Sequence, residues 1–134
     1  LQIAPDRERA AQSDLGGTET ILVIDDEESV RKTVTAMLEQ AGYSVLTAAG
    51  GSEGLELFQA HPDRIELVLL DLSMPGMSGR QVLEKLRAIA PESRVAYFTG
   101  RELSEEERGE VRIVIEKPVT RHDLLSAVQA SLKS

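Results

Sequence analysis

Five residues carry side chains suited to phosphoryl or metal chemistry, and each stands at or just past the end of a short apolar run: Asp25, Asp26, Asp71, Thr99 and Lys117, the last followed by Pro118. Like charges at close range oppose joint ionisation unless a cation is present, so three carboxylates brought together call for one. Oxygen donors without Cys or His select a hard ion. A site with few carboxylates, leaving room for water and phosphate oxygens, suits Mg²⁺. On this reading Asp26 and Asp71 ligate the ion directly, Asp25 acts through water, and the backbone carbonyl of Ser73 completes the protein's share. A carboxylate can also act as a nucleophile and form an aspartyl phosphate. Phosphoryl transfer needs mainly positioning and charge stabilisation, for which Lys117 offers a compact cation and Thr99 a hydroxyl. The chain contains no GxxxxGK[ST] loop, so the phosphoryl group is expected from elsewhere than a nucleotide held by such a loop.

Residues so far apart meet only if the elements before them are parallel strands of one sheet, because ligand sites in open α/β sheets lie beyond the carboxyl ends of the strands. The hydrophobic pattern supplies such elements. Ile21–Ile24, Ser44–Ala48, Glu66–Leu70, Arg94–Phe98 and Arg112–Ile115 read as strands. Between them lie stretches with apolar residues three and four apart: Val30, Val34, Met37, Leu38 and Ala41, closed by Gly42; Glu53–Ala60 with Leu55 and Phe58 as anchors; Arg80–Ile89 with Val82, Leu83, Leu86 and Ile89 facing inward after a cap at Ser78; a short charged helix over Glu102–Arg108; and Thr120–Leu132. Gly54 inside the second helix costs about 1 kcal/mol relative to Ala. Five βα units predict one doubly wound parallel sheet with helices on both faces.

The chain has 134 residues, 41% hydrophobic and 28% charged, a single-domain balance. Its net charge of −8 argues against nucleic-acid binding, and the absence of cysteine excludes disulfides and thiolate metal sites. No apolar run reaches the roughly 20 residues of a membrane span, so no direct membrane insertion and a cytoplasmic location are expected. Residues 1–18 are polar, broken by Pro5 and Gly16-Gly17, and read as a linker with a helical turn around Asp6–Gln12; residues 19–134 form the domain. Leu1 in place of an initiating Met suggests a piece of a longer protein.

The run Asp25–Glu28 would suit a helix N-terminus by charge alone, and Lys117 could be a surface lysine before a turn; the joint presence of Asp71 and Thr99 at other strand ends outweighs both. His61 and His122 read as solvent-facing, and the charges from Arg101 to Arg112 as a solvated face.

Taken together, the acidic pair, the block "LLDLSMPGMSG", the Thr and the Lys-Pro pair resemble the response-regulator receiver domains of two-component signalling over residues 20–133. The resemblance implies a flavodoxin-like sheet of order 2-1-3-4-5, Asp71 as phospho-acceptor from a phosphohistidine, Mg²⁺ dependence and a cis Lys117-Pro118 bond. Implied partners are a histidine kinase or histidine phosphotransfer domain, with self-association as a further reading. "GGTETILVIDDE" resembles the joint before the C-terminal receivers of hybrid sensor kinases, whose parent chain can be membrane-anchored. Two features depart from the family: Val114 stands where an aromatic is usual, and the segment between Thr99 and Lys117 is short. These departures motivate a second reading, a protein-binding module that works without phosphorylation. A phosphohydrolase is a third, weakened because Ser73 stands where a second acid would activate water. Ser73 and Arg101 are expected to tune the phosphoryl lifetime.

Overall fold

A computed structural model describes residues 15–133. Five strands, β1 (Thr20–Ile24), β2 (Ser44–Ala48), β3 (Ile65–Leu70), β4 (Val95–Thr99) and β5 (Ile113–Glu116), alternate with five helices, α1 (Glu28–Gln40), α2 (Gly51–Ala60), α3 (Gly79–Ile89), α4 (Glu105–Gly109) and α5 (Arg121–Lys133). All strand pairs are parallel and the order is β2-β1-β3-β4-β5. The flavodoxin-like (βα)5 topology expected from the sequence is therefore present.

Alternation along each strand sorts the core into two layers. On one face Leu22, Ile24, Val68, Leu70 and Tyr97 pack with Phe58 of α2 and Val82, Leu83 and Leu86 of α3. On the other, Ile21, Val23, Leu67, Leu69 and Phe98 pack with α1 through Val34 and Leu38 and with α5 through Leu124 and Val128. Because both faces are covered, β1 is buried at every position, which explains its unbroken apolar run.

Helix ends follow local chemistry. Gly42, at φ 101°, closes α1, its N–H donating to Glu39 O and the Tyr43 N–H to Leu38 O, the paired arrangement that satisfies terminal carbonyls. Ser78 caps α3 reciprocally with Gln81. Gly54 lies against Ile24, leaving no room for a Cβ, so close helix–strand approach compensates its low helix propensity.

Three expectations need correction. Ile89 is not inward-facing but 43% exposed, because the helical stripe has rotated away from the sheet by the last turn of α3. Helix α4 starts at Glu105 rather than Glu102, since Ser104 takes the cap position and pairs with Glu107. Helix α2 starts two residues earlier than expected, at Gly51. The helical turn around Asp6–Gln12 lies outside the described residues. At the end of the stretch read as linker, Leu15 packs against the α1/α5 core layer and the Gly17 N–H donates to Ala41 O at 3.2 Å.

Candidate functional site

The carboxyl ends of β1, β3, β4 and β5 converge, and each brings one part of a site. Asp25 follows β1 and is fully buried; Asp71 follows β3 at 2% exposure; Thr99 ends β4 at 1%. Oxygens of Asp25, Asp26 and Asp71 all lie within 4.8 Å of one another. Asp26 is exposed while the other two are buried, so the cluster has one open flank. From β5, Lys117 reaches Asp25 Oδ2 at 2.6 Å and Asp71 Oδ2 at 3.6 Å. Its Nζ also stands 5.1 Å from the centre of the Phe98 ring, a favourable placement for a cation. The Lys117-Pro118 peptide is cis.

Short-range bonds set the acids. The Glu27 N–H donates to Asp25 Oδ1 at 2.9 Å, and the Ser73 N–H donates to Asp71 Oδ1 at 3.0 Å, each loop folding back onto its own carboxylate. Helix α3 fixes the loop after Asp71 from below: a Cβ on Gly79 would stand 2.7 Å from the Asp71 carbonyl oxygen, so only glycine allows this approach.

Charge is unevenly supported. Burial pushes the Asp71 carboxyl above its ordinary value; the Ser73 N–H pulls it down, Asp25 raises it further, and Lys117 opposes. Burial pulls Lys117 down, but its hydrogen bond to Asp25 and the charges of Asp71 and Asp25 leave it raised overall. One ammonium thus serves two buried acids while Asp26 adds a third charge nearby. An all-oxygen cluster with surplus negative charge fits a hard divalent cation.

Beside Lys117 and Thr99 opens a cleft of about 410 Å³ that also involves Arg101, Arg108 and Glu116. A larger cavity of about 530 Å³ lies at the opposite edge of the sheet, around Phe58, Pro62 and Arg94, away from this chemistry. His122 is exposed and His61 partly so; neither joins the acidic cluster.

Several polar partnerships escaped the sequence reading. Arg31 donates to the Asp25 carbonyl at 2.8 Å. The buried Tyr97 hydroxyl donates to Glu110 at 3.0 Å, and Glu110 is held in turn by Arg80 at 2.7 and 3.0 Å. No local pattern announces partners 13 or 30 positions apart. Arg31, one helical turn past the acidic pair, offered the only such hint.

Fold and site together define a flavodoxin-like α/β domain with an acidic pocket at the carboxyl edge of its sheet. Residues 21–129 match the response regulator receiver domain, and the chain belongs to that family: it is a receiver domain of two-component signalling. It is 31% identical to the chemotaxis protein CheY of Treponema pallidum, covering 96% of this chain and 92% of that one. It is 34% identical over 88 residues to the sensor kinase CckA of Brucella abortus, covering 66% of this chain and only 9% of the kinase. It spans half the length of the Bacillus subtilis regulator YkoG, at 33% identity. A receiver domain from Clostridium thermocellum superposes with TM-score 0.79 at 32% identity, covering 86% of this chain and 94% of that one. A Borrelia burgdorferi CheX–CheY–BeF3–Mg complex gives 0.79 at 25% identity, covering 84% and 87%.

Proposed function

We propose that Asp71 accepts a phosphoryl group from the phosphohistidine of a histidine kinase or histidine phosphotransfer domain, and that residues 19–134 act as the receiver of a hybrid sensor kinase. The observation that carries this is the convergence of Asp25, Asp26 and Asp71 within 4.8 Å with Lys117 at 3.6 Å from Asp71. An Asp71 oxygen attacks phosphorus, the P–N bond breaks, and its electron pair returns to the imidazole nitrogen. Asp25, Asp26, Asp71 and the Ser73 carbonyl would hold Mg²⁺, which supplies neutralisation of phosphoryl oxygen charge. Lys117 draws an equatorial oxygen, and Thr99, at the mouth of the same cleft, donates its hydroxyl to another.

Similarity to a segment of the CckA sensor kinase supports the hybrid context, and the BeF3–Mg complex of a 25% identical neighbour supports the choice of ion. Among the described residues no helix is long and apolar enough to cross a membrane, which fits a cytoplasmic location beside an anchored parent.

Intact-mass spectrometry after incubation with Mg²⁺ and acetyl phosphate tests the site. One phosphoryl adduct on the wild type and none on Asp71→Asn is expected. An adduct retained in Asp71→Asn would overturn the assignment, and no adduct on a folded wild type would favour a binding module independent of phosphate.

A further inference from the structure

Helix α4 is fastened in a way that its neighbours are not. Its one buried side chain is a carboxylate, Glu107. Leu103 before it and Val111 after it pack against the core, so the turn between these two pins is anchored at its centre by charge. Glu107 receives both arms of one guanidinium, Arg101 Nη2 at 2.7 Å and Nη1 at 3.2 Å, together with the Ser104 N–H at 3.0 Å. Arg101 also stands beside the proposed phosphoryl site. Its backbone N–H donates to Thr99 Oγ1 at 3.3 Å, it lines the same cleft as Thr99 and Lys117, and it lies within the electrostatic reach of Asp71.

We propose that Arg101 reads the state of Asp71 by exchanging Glu107 for the oxygens of the phosphoryl group, and that this exchange releases α4. The proposal rests on the reading of Asp71 as phospho-acceptor. A phosphoryl group offers three acceptor oxygens and close to two negative charges, where Glu107 offers a single charge. The planar guanidinium fork fits either partner in two-point geometry, so the larger charge decides.

Once deprived of Arg101, the Glu107 carboxylate, 11% exposed while the half-open guanidinium covers it, loses its cation and is drawn into water. Swinging out satisfies it. The cap opens with it, because Glu107 is the residue that completes the reciprocal Ser104 bond. Arg80, bound from α3 to Glu106 and Glu110, keeps the segment tethered to α3 while its turns open. Output would thus pass through α4 although position 114 is Val, with the signal carried by an ion-pair exchange.

Hydrogen–deuterium exchange of the whole chain, with Mg²⁺ and beryllium fluoride as the phosphoryl probe, tests this. In the wild type the probe is expected to slow exchange in the loop after Asp71 and to speed it about tenfold over residues 104–110. Arg101→Gln is expected to show fast exchange over 104–110 with or without the probe. Glu107→Gln, which keeps shape while weakening the pair, is expected to bind the probe at lower concentration, since Arg101 no longer has to leave a carboxylate. Protection after Asp71 with unchanged exchange over 104–110 would overturn the exchange mechanism and leave the phospho-acceptor reading intact. No protection at Asp71 and no phosphoryl adduct would overturn both.

Discussion

Asp71 is a carboxylate placed where burial and a neighbouring acid disfavour its charge, with the Ser73 N–H and Lys117 compensating in part. A folded-state carboxyl pKa above its unfolded value favours folding at low pH, and that contribution disappears as pH rises through the folded value. At neutral pH the ionised side chain is therefore a burden on the fold. Asp71→Asn is expected to raise Tm by a few degrees in Mg²⁺-free buffer, measured by calorimetry. Lys117→Ala should act the other way, because it strands the fully buried Asp25; a loss of up to about 3 kcal/mol is expected, together with an adduct-formation rate lower by about 10²-fold. Glu107 has the opposite sign from Asp71. Its hydrogen bond to Arg101, the Ser104 N–H and the Arg101 charge hold it down to about 2 from an ordinary 4.5. The stabilisation it gives is complete above about pH 4.5 and lost as pH falls through about 2. A carboxyl-carbon NMR titration of Glu107 with its midpoint near the ordinary value would contradict the Arg101 pair.

Elements decide how precisely those residues meet. The loop carrying Asp71 rests on the first turn of α3, and Gly79 is the point of closest approach. Gly79→Ala would force backbone apart at the acidic cluster; a loss of about 1–3 kcal/mol and slower phosphoryl uptake are expected, checked by denaturant unfolding and by mass spectrometry. Helix α4 shows what the shortened segment after Thr99 means physically. With five residues it has space for one inward side chain, and that one is charged. The aromatic volume missing at Val114 stands across the strand pair at Tyr97, which is directly in register with it and fully buried. Its hydroxyl is tied to Glu110, so this ring is fixed at its polar end by the same segment that Arg101 holds.

At the scale of the whole molecule, the site is a junction of four strand ends with one open flank at Asp26. A cation bound there would stabilise the folded chain by mass action and relieve the repulsion among the acids. Addition of Mg²⁺ is expected to raise Tm, and EDTA to reverse it, with a smaller rise in Asp71→Asn than in the wild type; equal rises would place the cation elsewhere. The doubly wound topology makes this junction possible, because parallel connections return every strand to the same edge.

Much of this was legible in the sequence because it is written in local pattern. Apolar runs ending on Asp25, Asp71 and Thr99 predicted strands, their direction and a shared edge, and Gly42 and Ser78 marked where α1 stops and α3 starts, whereas the Ser104 cap of α4 and the start of α2 at Gly51 were not read. Side-chain rotation at the last turn of α3 was not, since Ile89 continues the helical stripe in sequence but runs past the end of the core. Nor were the pairings Tyr97–Glu110, Arg80–Glu110 and Arg101–Glu107, because a charged residue in a charge-rich segment has many candidate partners and only packing selects one. The sequence by itself determined the elements, the carboxylate edge and the family resemblance, all of which follow from periodicity and residue type. Only the tertiary structure decided that Lys117 bridges Asp25 and Asp71, that Asp26 stays open to solvent, and that a single arginine beside Thr99 anchors α4, because each depends on distances between residues that the chain itself holds apart.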